Sequence, residues 1–445
     1  MLRLATLALL SFAACSSAPT GTIQIVTGGE TDTLTRSPMP TALIVDAVDS
    51  LGRPTTLARV SLPAMNVDLG KHDENAVAAI AVSGVDALDE PLVFGSTIPL
   101  QYGSLEGATI PIFVQRTGEL ARLPHALSDS RQAPVLSQFQ GRYLFVGAGS
   151  DPSIAKTTQL YDFLTFAPLP APPSLPRVPE SIAFVGTVAL LVDDQGGTYF
   201  DFSTNASIAA PAPPGPFSFA AVAGGGTVIA DDGSEYIVGA TRAAGPATAA
   251  VLVVDPTDTR NAQYVTGNLT WASLSVPRLG AGAAWVAGRG LVVTGGDATA
   301  AGVEVIVPPP SSATSALPYP PDNSVGTGAT ALPGGQKLLL AGGVTASGQD
   351  AGVRAIDLSC ATDCTTMWPP LPVAIGAAQA FALDATTAIV VGSEGSGPTH
   401  VFRLTSSSVR ELPTKVLHRN ARASLTPLGT LALVGGAGEM ESFTP

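Results

Sequence analysis

Chemistry needs particular side chains at particular spacings, and this chain offers few of them. It has three cysteines and four histidines. His72, His125, His400 and His418 are scattered singly, with no HxH or HExxH pattern to hold a metal. Cys360 and Cys364 have no histidine near them and no second cysteine pair, so a disulfide is expected there and a metal centre is not. No serine occupies a G-x-S-x-G frame. Ser153 and Lys156 match S-x-x-K, but they follow Asp151-Pro152 in a turn-rich stretch without helical spacing, so the match reads as coincidence. Asp193-Asp194 and Asp231-Asp232-Gly233 lack the spaced oxygen ligands of a calcium loop and read as turns. Gly224-Gly-Gly226 and Gly334-Gly335 open strands, so they offer no helix N-terminus to phosphate. No catalytic residue, metal or cofactor is expected. Paired carboxylates of glycoside hydrolysis are assembled in space, so a carbohydrate-active hydrolase or lyase stands as an alternative.

Composition narrows the partners. The 445 residues carry a net charge of −13, from 22 basic and 35 acidic side chains. The only lysines are Lys71, Lys156, Lys337 and Lys415. Phosphate neutralisation needs a basic face, so nucleic acid is excluded as a partner, and an anionic membrane surface is equally unsuited. The acidity serves solubility. A 45% hydrophobic content with 13% charged residues describes a folded chain. With 47 glycines and 38 prolines punctuating short Val/Ile/Leu runs, and no long 3.6-residue periodicity, the fold is expected to be all-β.

The first fifteen residues read as an address. Arg3 precedes a short apolar run too brief to span a bilayer, ending Phe12-Ala13-Ala14-Cys15. This resembles the lipobox of bacterial lipoproteins, with Phe12 where leucine is usual. The resemblance implies cleavage before Cys15, diacylation of its sulfur side (palmitate-type chains) and anchoring in the cell envelope. Ser16 follows where aspartate would occupy the sorting position, so an outer-membrane location is expected, with the protein periplasmic or surface-exposed. A plain secretory signal cleaved near Ala14 is the competing reading.

Residues 16–108 read as a separate module, with strands expected at 22–26, 42–48, 55–62, 77–83 and 91–96. Alternation such as Ile23/Ile25 fits a half-buried sheet, and a small immunoglobulin-like β-sandwich is the expected solution.

From 109 to 445 the chain repeats. Apolar runs end at Gly147, Val192, Gly239, Gly295, Gly342, Gly392 and Gly435, spaced 43 to 56 residues apart. A period near 50 with several short strands per unit describes a propeller repeat. In the best unit Trp271 is followed by Pro277-Arg278, an apolar strand and Gly295-Gly296. Trp368 repeats the first half, and Leu412-Pro413, Arg422 and Gly435-Gly436 repeat the whole. These units resemble Kelch and galactose-oxidase-like propellers, although most lack the tryptophan. The resemblance implies a seven-bladed Kelch-like β-propeller over 109–445. The segment 111–124 looks like the outer hairpin of a blade whose inner strands come from the C-terminus. The copper chemistry of galactose oxidase is not carried over, because the residues that would hold copper are missing.

The expected role is a non-catalytic binding or scaffold module for a protein or glycan at the envelope, with a structural surface component as a further alternative. Loops after the glycine pairs share a face with the joins between repeats, so they are the expected ligand face. Its polar members are Asp151, Lys156, Arg242, Asp297, Asp350 and Glu394. The opposite face offers one long hairpin, 255–270, with Arg260, Asn261 and Tyr264. A Cys360–Cys364 disulfide closes a short loop, so its loss should cost at most about 2–3 kcal/mol. Thiol titration of the unfolded, unreduced protein should find neither sulfur free, and two free thiols would refute the pairing.

Overall fold

The computed structural model describes residues 20–71, 75–170, 174–185, 187–239, 246–255, 268–296, 302–307 and 314–445. The chain is all-β, with two short 3-10 turns its only helical elements among these residues. Among the described residues no helix is long and apolar enough to cross a membrane.

Two sheets form the N-terminal region. Thr20–Val26 pairs antiparallel with Asn66–Lys71 and parallel with Thr109–Phe113. The second sheet runs in the order Pro54–Ser61, Ala42–Val48, Val77–Val85, Pro91–Ser96 and Gln115–Arg116. Their shared core holds Ile23, Ile25 and Val67 from one sheet and Leu43, Val45, Ile80, Val82 and Val93 from the other. Most expected strands fall where alternation put them. The strand at 66–71 was not anticipated, because Asn66-Val-Asp-Leu-Gly alternates too briefly to signal itself.

Seven four-stranded antiparallel sheets follow. Sheet 1 comprises Val135–Phe139, Tyr143–Gly147, Gln159–Asp162 and Ala167–Pro168. Sheet 2 comprises Ser181–Val185, Val188–Asp193, Gly196–Asp201 and Ala206–Ala209. Sheet 3 comprises Gly226–Ile229, Glu235–Val238, Thr248–Asp255 and Asn268–Arg278. Sheet 4 comprises Gly282–Val286, Gly290–Thr294, Val303–Ile306 and Thr314–Leu317. Sheet 5 comprises Gly328–Leu332, Lys337–Ala341, Val353–Asp357 and Thr365–Met367. Sheet 6 comprises Gly376–Ala382, Thr387–Ser393, Thr399–Thr405 and Ser408–Glu411. Sheet 7 takes three strands from the C-terminus, Arg422–Leu425, Leu431–Val434 and Glu441–Phe443, and its fourth from Leu120–Arg122.

The repeated apolar run is the second strand of every sheet. In sheets 2, 3, 4, 6 and 7 every residue of that strand is buried. A strand covered on both faces has no use for alternation, which is why these runs are continuously apolar. Fourth strands such as Thr314–Leu317 and Ser408–Glu411 are largely exposed and polar. The first strands of sheets 4, 5 and 6 open on small residues, Gly282-Ala-Ala, Gly328-Ala-Thr-Ala and Gly376-Ala-Ala. They must be small because neighbouring sheets meet there: a Cβ on Gly328 would stand 2.9 Å from the backbone of Gln379.

From sheet 1 to sheet 6 each first strand lies against the next, and the first strand of sheet 7 touches sheets 6 and 1. Backbone bonds tie these entry points together. Gly326 N–H donates to Gly280 O (2.7 Å), Ala378 N–H to Gly326 O (2.9 Å) and Ala133 N–H to Asn420 O (2.8 Å). Gln379 serves as a surrogate strand: its amide accepts from Ala423 N–H (2.8 Å) and donates to Ala423 O (3.0 Å).

Two expectations about the junction are corrected. Thr109–Phe113 and Gln115–Arg116 complete the N-terminal sheets, so that region extends beyond 108. Consequently 111–124 is not an outer hairpin, and only Leu120–Arg122 crosses over. Thr109–Phe113 goes to the N-terminal side because its apolar Ile112 and Phe113 pair beside Ile25 and Val26 in the first core. The N-terminal core continues through Phe163 and Phe166 to Ala432 and Val434, so it rests on sheets 1 and 7.

Removing residues 431–445 takes away two inner strands of sheet 7 and uncovers the faces of sheets 6 and 1. The whole set of sheets should then lose cooperative unfolding. A truncated chain that melts as one transition at the unchanged temperature would contradict this closure.

Candidate functional site

The strands that line the axis are chemically sparse. Across all seven first strands only one residue, Arg422, is ionisable. It opens the first strand of sheet 7, opposite Val434. Beside it lies a depression of about 270 Å³, lined by Val344, Gln349, Ala377, Ser393, Asn420 and Arg422 among others. The lining comes from sheets 5, 6, 7 and the entry to sheet 1, so no single repeat could make it.

Local chain geometry positions these groups. A short hairpin, Val344–Thr345 with Gly348–Gln349, projects from sheet 5 and carries Gln349 over sheet 6. There the Gln349 amide donates to Ser393 O at 3.0 Å. Asn420 adopts a left-handed backbone (φ 48°), a conformation asparagine tolerates better than most residues, and its amide donates to Gln132 Oε1 at 3.3 Å. Arg422 donates through Nη1 to Ala377 O at a long 3.4 Å. Among the described residues it has no carboxylate partner within ion-pair distance. Protein mass surrounds its guanidinium while the mouth of the well keeps it partly wetted. Burial pushes its pKa below the usual arginine value.

Elsewhere in the sheets, cations are consumed by structure. Arg278 and Glu304 are both fully buried and 2.8 Å apart, and Arg278 also donates to Gly295 O at 2.8 Å. Arg131 donates to Ala148 O at 3.1 Å while pairing with Asp129 at 2.6 Å. His418 donates through Nδ1 to Gly435 O at 2.7 Å, with Nε2 3.2 Å from Glu441. Arg177–Asp193 and Arg354–Asp322 make comparable ties in sheets 2 and 5. Each ties the chain entering a sheet to its inner strands. Comparison of the repeats had set Arg422 against Arg278; the residue that repeats the Arg278 contact is His418, and Arg422 lines the depression.

The loop residues expected to bind are placed as follows. Asp151 accepts from the backbone and hydroxyl of Ser153 (2.8 and 2.7 Å), the hydroxyl foremost in holding its carboxyl below the ordinary range. It caps a turn. Lys156 is exposed, and its carbonyl accepts from Leu175 N–H at 2.8 Å. Asp350 closes a turn onto Gly352 N–H at 3.0 Å. Glu394 is exposed, 4.0 Å from His400. None of these four lines the depression, though Gln349 and Gly395, their chain neighbours, do. Arg242, Asp297 and the hairpin residues Arg260, Asn261 and Tyr264 lie outside the described residues, as does Cys15. Cys360 and Cys364 are joined by a disulfide between the third and fourth strands of sheet 5, with Cα atoms 6.1 Å apart. No group of three or more His, Cys, Asp or Glu among the described residues is arranged to hold a metal ion. Residues missed from sequence are Gln349, Ser393, Asn420 and Arg422. The available signal was a charged residue where every other repeat enters its first strand with a neutral one.

No family model matches the chain, and no curated protein matches it.

One buried acid has no structural partner for its charge. Glu235 accepts from Phe184 N–H at 3.2 Å, its Oε2 has no partner among the described residues, and burial pushes its pKa up to about 7. Its proton is held more tightly in the folded state than in the unfolded state near 4.5. The contribution of this group to stability is therefore greatest below 4.5, falls as pH rises towards 7 and stays lost above, by about 3 kcal/mol at most. Glu235→Gln should flatten that decline, read as urea stability at pH 5 and pH 8. A wild-type-minus-variant difference that ignores pH would refute it.

Proposed function

We propose that this chain is a lipid-anchored recognition or scaffold protein of the bacterial cell envelope. Its seven four-stranded sheets are the blades of a Kelch-like β-propeller, preceded by a small immunoglobulin-like β-sandwich. The observation that carries this reading is the succession of first strands: each contacts the next sheet, a composite sheet joins the two ends, and Arg422 is the one ionisable residue in those strands. General acid–base catalysis needs a positioned group whose pKa lies near the working pH, which a lone arginine does not supply. A floor of Gly, Ala, Ser and amide side chains suits binding better than turnover. Loops converging from several blades form a pre-organised surface, which lowers the entropic cost of recognition.

The envelope location rests on the Cys15 segment. Replacing Cys15 with Ser should release the protein from membranes, and mass spectrometry of the native protein should find acyl chains on that cysteine. Unchanged fractionation together with an unacylated native chain would sink the anchor. Incubation with envelope polysaccharides separates binding from catalysis: retention without new reducing ends fits a recognition module, whereas steady release of fragments would establish the hydrolase or lyase alternative.

A further inference from the structure

We propose that the axial depression binds a sugar acid, a monosaccharide-sized ligand whose carboxylate docks on Arg422 and whose hydroxyls meet Gln349 and Asn420.

The argument starts from what each group has left to offer. Arg422 is a planar fork of donors with one long bond to Ala377 O and no carboxylate partner among the described residues. Such a fork matches a carboxylate in bidentate geometry. It supplies one positive charge, enough for a monoanion. A phosphate dianion would be left with uncompensated charge in a chain of net charge −13. An anion placed against the guanidinium would offset by charge attraction the burial that depresses its pKa.

The flanking amides point to hydroxyls. The nitrogen of Gln349 is committed to Ser393 O and that of Asn420 to Gln132 Oε1. Each amide keeps its second N–H as a donor and its carbonyl oxygen as an acceptor, and a sugar hydroxyl, donor and acceptor at once, can meet either. Val344, 40% exposed at the rim, offers an apolar surface for the C–H face of a sugar ring. A volume of about 270 Å³ corresponds to roughly nine waters, space for one hexose-sized ring and not for a long chain.

This inference rests on reading the sheets as a recognition module, yet it fails separately from that reading. The test is calorimetric titration of the full chain in detergent with glucuronate and galacturonate, against glucose, galactose, acetate and inorganic phosphate. Either uronate should bind, with every comparator weaker by about tenfold or more. Arg422→Gln should lose about tenfold or more of uronate affinity, and Arg422→Lys, which keeps the charge without the fork, should recover only part of it. Should Arg422→Gln not fold, Gln349→Ala and Asn420→Ala still decide: each should weaken uronate while leaving acetate unchanged. Tighter binding of an oligosaccharide with a terminal uronate would place the ligand on a glycan, and equal binding would make it the free sugar acid; both uphold the site. Absence of uronate binding at millimolar concentration, equal binding of glucose or phosphate, or indifference to all three positions would overturn it. A chain that recognises an envelope partner through its outer loops while failing these tests would refute the site and spare the module.

Discussion

Three residue pairs hold the two ends of the repeating region together: Leu120 with Phe443, Ala121 with Ser442 and Arg122 with Glu441. A lone four-stranded sheet has two faces to bury, and here each is covered by a neighbouring sheet. An open series would leave the outer faces of its terminal sheets in water. Pairing an N-proximal strand with a C-terminal one makes the last sheet part of both ends. That sheet also carries Arg422, so the axial depression exists only when the ends have met. Gln115 adds a side-chain bond to Ser442 O at 3.2 Å, and Glu30 takes Arg122 from both backbone and side chain at 2.6 and 2.9 Å. The N-terminal sheets thereby brace the junction.

A second constraint is that sheets meeting at an axis need polar fastening. Apolar contact is non-directional and would let one sheet slide on another. The buried ties of Arg131, Arg278 and His418 to the carbonyls of Ala148, Gly295 and Gly435 fix the register between an entering segment and the second strand. Such groups are costly when orphaned: loss of one partner of a fully buried pair like Arg278–Glu304 costs about 3–5 kcal/mol. Glu235 departs from this economy, with a buried carboxyl facing a single backbone N–H.

The all-β character and the repeat could be read from the chain because most second strands are apolar runs ended by small residues. The strands 42–48 and 91–96 were found to the residue, since turn residues bracket a clear alternation. The ends were misread because Thr109–Phe113 and Leu120–Arg122 look alike as short apolar strands. Only three-dimensional pairing assigns one to the N-terminal sheets and the other to sheet 7. The depression was nearly invisible for a similar reason. Its members are drawn from four units separated by tens of positions. Charged loop residues such as Asp151 and Asp350 drew attention instead, and they turn out to fold their own turns. The repeat pattern sets Arg422 against Arg278 because each lies between a proline and a glycine-ended apolar run, whereas the contact that repeats belongs to His418.

The central claim is that Leu120–Arg122 is a permanent strand of the last sheet. Hydrogen–deuterium exchange of the intact protein, followed by mass spectrometry, addresses it directly. Amides of Leu120–Arg122 and Glu441–Phe443 should exchange together and only as slowly as the buried second strands, because opening one requires opening the sheet. Rapid exchange at Leu120–Arg122, while Leu431–Val434 stays protected, would show that the ends are not joined.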